Sequence, residues 1–196
     1  MHQLKEYEKF LFILDGTLHT IFEREKEYLC CKEGCSLCCE QGEYPISDLE
    51  FEYLMYGFKT LDEDLQKKIN KTIEEIKNSD ERLHICPFLV NKKCALYKYR
   101  PIICRTFGVI SENKYGKLTI PFCRKEGLNY SKVFDSERKM ISSELVAKYN
   151  YSKEPTAYNL NNENIMNLDI ARDLNLSFGE IRKMKANKHH HNHIIQ

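Results

Sequence analysis

Cys31-Lys32-Glu33-Gly34-Cys35-Ser36-Leu37-Cys38-Cys39 places four thiols within nine residues. A soft divalent ion or an iron–sulfur cluster needs several thiolates converging on one point, and zinc takes them tetrahedrally at ~2.3 Å. A short loop that turns back on itself delivers two or three such ligands at little extra cost in chain entropy. Gly34 lets the backbone turn, and Ser36-Leu37 is the two-residue spacer of a ligand knuckle. Adjacent cysteines point apart in extended chain. Cys38 and Cys39 would then serve two sites, or one of them would serve none.

Working outward, a second cysteine-rich stretch follows. It contains Cys86-Pro87-Phe88-Leu89, then Cys94-Ala95-Leu96-Tyr97, then Arg100-Pro101 and Cys104-Arg105, with Cys123 beyond. The expected metal ligands are Cys31, Cys35, Cys38, Cys39, Cys86, Cys94, Cys104 and Cys123. Cys30 closes the preceding helix and reads as a buried thiol. His84, two residues before Cys86, is a weaker ligand candidate, since a lone histidine is more often structural. Nine cysteines are an odd number, and tandem pairs fit a simple set of disulfide bridges poorly. In a reducing compartment such a pattern points to metal or catalysis.

The combined pattern resembles the YkgJ-type cysteine-cluster proteins, a family named for zinc or iron chelation. There a C-x3-C-x2-C-C run is followed by C-P-F-L, then C-x-I-Y, then R-P-x2-C-R. The matching positions are 31–39, Cys86 to Leu89, Cys94 to Tyr97 (with Leu96 for the usual Ile) and Arg100 to Arg105. The resemblance covers residues 31 to about 123 and implies zinc or iron as cofactor, the iron also as an iron–sulfur cluster. A related module in flagellin lysine methylases implies an alternative, an iron–sulfur enzyme. No glycine-rich turn of the kind that binds S-adenosylmethionine follows a strand here, so enzymatic activity stays undecided.

Thiolate clusters carry negative charge, and buried negative charge needs donors nearby. Arg100, Arg105 and Arg124 flank cysteines, as do Lys92 and Lys93. They are expected to supply charge-assisted hydrogen bonds. Two decoys fail on chemistry. Cys94-x5-Arg100 has phosphatase-loop spacing, but its Ala-Leu-Tyr-Lys-Tyr spacer is too bulky to wrap a phosphate. Cys35-Ser36-Leu37-Cys38 has C-x-x-C spacing, but it follows a helix rather than a strand.

The rest of the chain reads as helical. Leu4, Tyr7, Leu11, Leu14, Leu18 and Ile21 make one apolar face over residues 1–29, with Asp15-Gly16 a candidate kink. Ser47 with Glu50, Thr60 with Glu63, and Ser177 with Glu180 are capping-box signatures. Further helices are expected at about 136–149, 163–174 and 177–187, and a hairpin joins Val109-Ile110 to Leu118–Ile120. The expected fold is mainly α. Its helices pack around an irregular cysteine-rich metal-binding centre, with at most a small β-hairpin. One domain is expected over 1–187, with a cysteine core at about 30–124 between flanking helices 1–29 and 136–187. A biased tail, His189-His190-His191-Asn192-His193, is expected to be disordered over 188–196.

Of the 196 residues, 42% are hydrophobic and 11% aromatic, enough for a core. With 30 basic against 29 acidic residues the formal net charge is +1, which gives no electrostatic case for a nucleic-acid or membrane-surface partner. No apolar run approaches the ~18–20 residues of a membrane span, and no signal-peptide pattern opens the chain. The expected setting is cytoplasmic, with a metal ion as partner and any protein partner undefined.

Overall fold

The computed structural model describes residues 2–32, 34–41, 44–79, 84–113 and 115–183. The expected tail, 188–196, and Gly42 of the cysteine loop lie outside them. The helices are α1 (His2–Glu25), α2 (Leu37–Glu40), α3 (Asp48–Phe58), α4 (Glu63–Asn78), α5 (Ile102–Thr106), α6 (Ser143–Lys148), α7 (Asn162–Met166) and α8 (Asp169–Asp173). The strands are β1 (Pro45–Ser47), β2 (Leu89–Val90), β3 (Lys93–Cys94), β4 (Ser111–Glu112), β5 (Leu118–Thr119), β6 (Phe134–Asp135), β7 (Met140–Ile141) and β8 (Ile181–Lys183). The fold is mainly α with small sheets. Among the described residues there are four two-stranded sheets, β1-β8, β2-β3, β4-β5 and β6-β7, where one hairpin was expected.

The chain divides into two compact units. The first comprises Met1–Tyr7, Glu33–Cys104 and Asn175–Gln196, and the second Glu8–Lys32 and Arg105–Leu174. The cysteine-rich stretch is therefore split between them, Cys30, Cys31 and Cys123 in the second unit and the other six in the first.

In the first unit, Ile46, Phe51, Leu54, Phe58, Ile69, Ile73, Phe88 and Leu96 form the buried core. The apolar faces of α3 and α4 supply most of it, and Cys86 and Cys94 pack against its side. The start of α3 is heavily anchored. Ser47 Oγ accepts from Glu50 N–H, and Glu50 Oε2 accepts from Ser47 N–H, which completes the expected capping box. Two more of the helix's first N–H groups, on Asp48 and Leu49, donate to the carbonyls of Glu180 and Phe178. These bonds satisfy donors that a helix start otherwise leaves open.

That arrangement also explains why 177–187 does not begin as a helix. Glu180 N–H donates to Asp48 Oδ2 at 2.9 Å rather than closing a turn on Ser177. Gly179 has φ +70°, and a Cβ there would stand 2.6 Å from Asp48 Oδ2. Ile181–Lys183 then pairs antiparallel with β1, Ile46 opposite Arg182. The edge of β1 takes up backbone groups that a helix would have bonded internally.

The Thr60–Glu63 capping box is also replaced. Asp62 caps α4 by accepting from Leu65 N–H, and the Thr60 hydroxyl donates back to the Gly57 carbonyl. Gly57 is the point where α3 meets the 3-10 turn Tyr97–Tyr99. A Cβ at Gly57 would lie 2.2 Å from the Tyr99 ring, and that ring packs between Tyr53 and Tyr56 with centroids at 5.2 and 6.1 Å.

In the second unit, Tyr28, Ile110, Tyr130, Val133 and Val146 form the core, and Tyr28 stacks on Tyr130. α1 passes Asp15-Gly16 without a break. The expected 109–120 hairpin is present as β4-β5, with Ser111 opposite Thr119. The stretch expected as a helix from about 136 starts instead as a hairpin. Asp135 Oδ1 accepts from the N–H groups of Glu137 and Arg138, turning the chain so that Met140-Ile141 pairs with Phe134-Asp135. Ser142 then caps α6. The 163–174 helix is two helices, because Leu168 is extended (φ −61°, ψ 149°) between α7 and α8.

Candidate metal centre

The first unit brings its thiols in on three short segments. Cys38 and Cys39 stand on α2, the single-turn helix that follows the Gly34 turn. Cys86 opens the Cys-Pro-Phe-Leu turn, where Leu89 N–H returns to the Cys86 carbonyl. Cys86 N–H donates to the Cys39 carbonyl at 2.7 Å, so the two segments are joined backbone to backbone. Cys94 sits on β3, opposite Leu89 on β2. The two residues between those strands, Asn91 and Lys92, both have positive φ (52° and 61°), the conformation of a tight two-residue hairpin turn. Cys104 lies on α5, where its N–H donates to the Pro101 carbonyl.

Glu50 ties α5 to α3. Its side chain is 1% exposed. While Oε2 completes the α3 cap, Oε1 accepts from Ile102 N–H at 2.7 Å. One buried carboxylate thus holds the starts of both helices, including the one that carries Cys104.

Electrostatics group these thiols. The Cys39 side chain, hydrogen-bonded to Cys38, pushes the Cys38 thiol up, and burial adds to it. Burial pushes Cys86 up to about 12, with further upward effects from Cys94 and Cys38. Cys104 is raised by burial, then by Cys86 and Cys94, and Cys94 by burial with a contribution from Cys38. Cys38, Cys39, Cys86, Cys94 and Cys104 are therefore near enough for the charge of one to be felt by others. Burial also raises the Tyr44 hydroxyl, as do Cys38, Cys104, Cys39 and Cys86; that hydroxyl donates to the Cys38 carbonyl. Arg100 opposes the trend, favouring the thiolates of Cys38, Cys94 and Cys104. Its Nη1 donates to the Cys104 carbonyl and its Nε to the Tyr97 carbonyl, and the guanidinium lies 3.7 Å over the Tyr97 ring.

All nine cysteines are thiols rather than disulfides. The donor set suits a soft or borderline ion: several thiols with an arginine facing them. Among the described residues no three His, Cys, Asp or Glu side chains already stand in metal-holding geometry. Taking up an ion would thus require the thiols to lose protons and rotate.

The remaining predicted ligands are placed differently. Cys35, in the first unit, is exposed. In the second unit Cys31 Sγ accepts from Asn129 Nδ2 at 3.2 Å. Gly108 backs it, and a Cβ on that glycine would come within 3.0 Å of the sulfur. Asn129, 1% exposed, also accepts from Cys30 N–H through Oδ1. Cys123 is buried in the 3-10 helix Phe122–Glu126. Of the arginines expected beside the thiols, Arg105 pairs with Asp15 at 2.6 Å and Arg124 lies over the Phe134 ring. Asn129 was not singled out from sequence. The capping box did mark Glu50, but nothing local reveals its second bond, to a residue 52 positions away.

Fold and site together define an α-rich thiol-cluster protein. Residues 30–124 match the family model CxxCxxCC, described as "Putative zinc- or iron-chelating domain". The chain is also 33% identical over 133 residues to "Uncharacterized protein MJ0661" of Methanocaldococcus jannaschii, covering 62% of this chain and 69% of that one. The chain belongs to this cysteine-cluster family. No solved structure matches it. Among the described residues, no helix is long and apolar enough to cross a membrane.

Proposed function

We propose that this protein binds zinc or iron through cysteine thiolates, with the first-unit thiols Cys38, Cys39, Cys86, Cys94 and Cys104 as the principal donors. The observation that supports this most is the grouping itself: five thiols from three segments that feel one another's charge beside Arg100. Cys35 completes the first-unit set. Cys31, which opens the C-x3-C-x2-C-C run, and Cys123 are further candidate donors by residue type. A bound ion supplies a cross-link between α2, the β2-β3 hairpin and α5, worth on the order of 10–16 kcal/mol where such a site is structural. The chain's own residues do the rest. Arg100 offsets thiolate charge, Glu50 fixes the start of α5, and the apolar core holds Cys86 and Cys94 in place.

The test is metal and sulfide analysis of protein made and purified without air and without metal-affinity capture. Zinc at fixed stoichiometry with no sulfide supports a mononuclear thiolate site. Iron with equimolar sulfide and a brown colour supports a cluster, for which four thiolates suffice, and with it the iron–sulfur enzyme reading. Metal content unchanged when Cys86 and Cys104 are both replaced by Ser would refute the proposal.

A further inference from the structure

His84 stands in a non-helical segment ahead of Cys86, and exposure alternates along it. Ile85 is 54% exposed, while His84 and Cys86 on either side are half-buried. His84 and Cys86 are thus the two half-buried residues that flank an exposed one. The two ring nitrogens of His84 are in different states. Nδ1 lies 3.1 Å from the Ile85 carbonyl. A carbonyl oxygen only accepts, so Nδ1 is the nitrogen that carries the proton, and in the neutral ring the lone pair then falls on Nε2. Nε2 is buried and has no hydrogen-bond partner among the described residues. A histidine that ligates a metal is usually held in this way, one N–H on a backbone carbonyl and the other nitrogen free to coordinate.

Charge gives an independent reason. Four thiolates on a divalent zinc sum to −2, whereas three thiolates and a neutral imidazole sum to −1. Arg100, the cation acting on Cys38, Cys94 and Cys104, would bring the second set to neutrality and leave the first with an uncompensated buried charge. Uncompensated charge is costly in such a setting.

We infer that His84 is a metal ligand of the first-unit centre, coordinating through Nε2 beside three of its thiolates. The inference rests on the metal-binding reading above. It assigns the centre a mixed sulfur–nitrogen donor set, with the remaining thiols outside the first coordination sphere.

The test is X-ray absorption at the zinc edge on the full chain loaded with one equivalent of zinc, compared with H84Q and H84C. The wild type should show three sulfurs at ~2.3 Å and one nitrogen at ~2.0–2.1 Å. H84Q should lose the nitrogen and bind zinc roughly tenfold or more weakly, a loss at least as large as that from a supporting residue. H84C should gain a fourth sulfur. If H84Q does not fold, H84C carries the comparison. A sulfur-only wild-type spectrum would overturn the inference while leaving thiolate binding intact. So would a nitrogen that persists in both variants, since another histidine would then be its source. A chain that takes up no zinc would overturn the inference, and one that takes up neither zinc nor iron would overturn both readings.

Discussion

Replacing Glu50 should damage the fold and the metal centre together. Its two oxygens accept from Ser47 N–H and Ile102 N–H, each at 2.7 Å, with the side chain 1% exposed. Ala at this position leaves two buried donors without acceptors, at about 1–3 kcal/mol each. The expected loss is about 3–5 kcal/mol, a large share of the ~5–15 kcal/mol by which a domain is stable. Gln is informative because it keeps the shape. Its one oxygen can serve one N–H, but its NH2 must then face the other donor, so about 2–3 kcal/mol should be lost. With a urea slope of ~2 kcal/mol/M, the midpoint of the metal-free chain should fall by roughly 1–1.5 M for E50Q and by more for E50A. Metal affinity should fall as well, because α5 loses its anchor. An E50A midpoint within about 0.3 M of wild type would refute the reasoning, as would a loss of stability with metal affinity untouched.

Gly57→Ala puts a methyl group 2.2 Å from a rigid Tyr99 ring. It should cost about 1–3 kcal/mol in thermal or urea unfolding, and the double variant with Tyr99→Ala should recover part of the loss. Arg100→Gln should weaken zinc binding roughly tenfold in a chelator competition, with Arg100→Lys intermediate because an ammonium cannot reproduce the stacked guanidinium. Stability of the metal-free chain should also depend on pH. The Cys86 thiol is raised to about 12 when folded, against about 8.5 for an unfolded cysteine. Its contribution is therefore complete below about pH 8.5 and is lost as pH rises toward 12, where the unfolded chain binds fewer protons. Urea midpoints from pH 7 to 11 should fall for the wild type and fall less for Cys86→Ser.

Local signals in the sequence predicted well wherever a local bond decided the structure. The Ser47–Glu50 box formed, α1 followed its apolar stripe, and the expected hairpin formed with its first strand two residues later, at Ser111–Glu112. They failed where a distant partner took over the same groups. Ser177 and Glu180 carry a good helix signature, but Asp48 and the β1 edge claimed their backbone. Asp62, two residues past Thr60, was the better acceptor for the start of α4. In the site, residue type identified the cysteines. Spacing alone could not divide them between two units, nor show that Arg105 would pair with Asp15 and Arg124 lie over the Phe134 ring.

Metal content measured on wild type beside Cys86→Ser/Cys104→Ser, both prepared in the absence of oxygen, bears on the account most directly. Wild type should carry zinc or iron at a fixed ratio to chain and unfold at a lower urea concentration once a strong chelator strips it, while the double variant should carry close to none. A wild-type chain that stays fully folded and metal-free under those conditions would contradict the account.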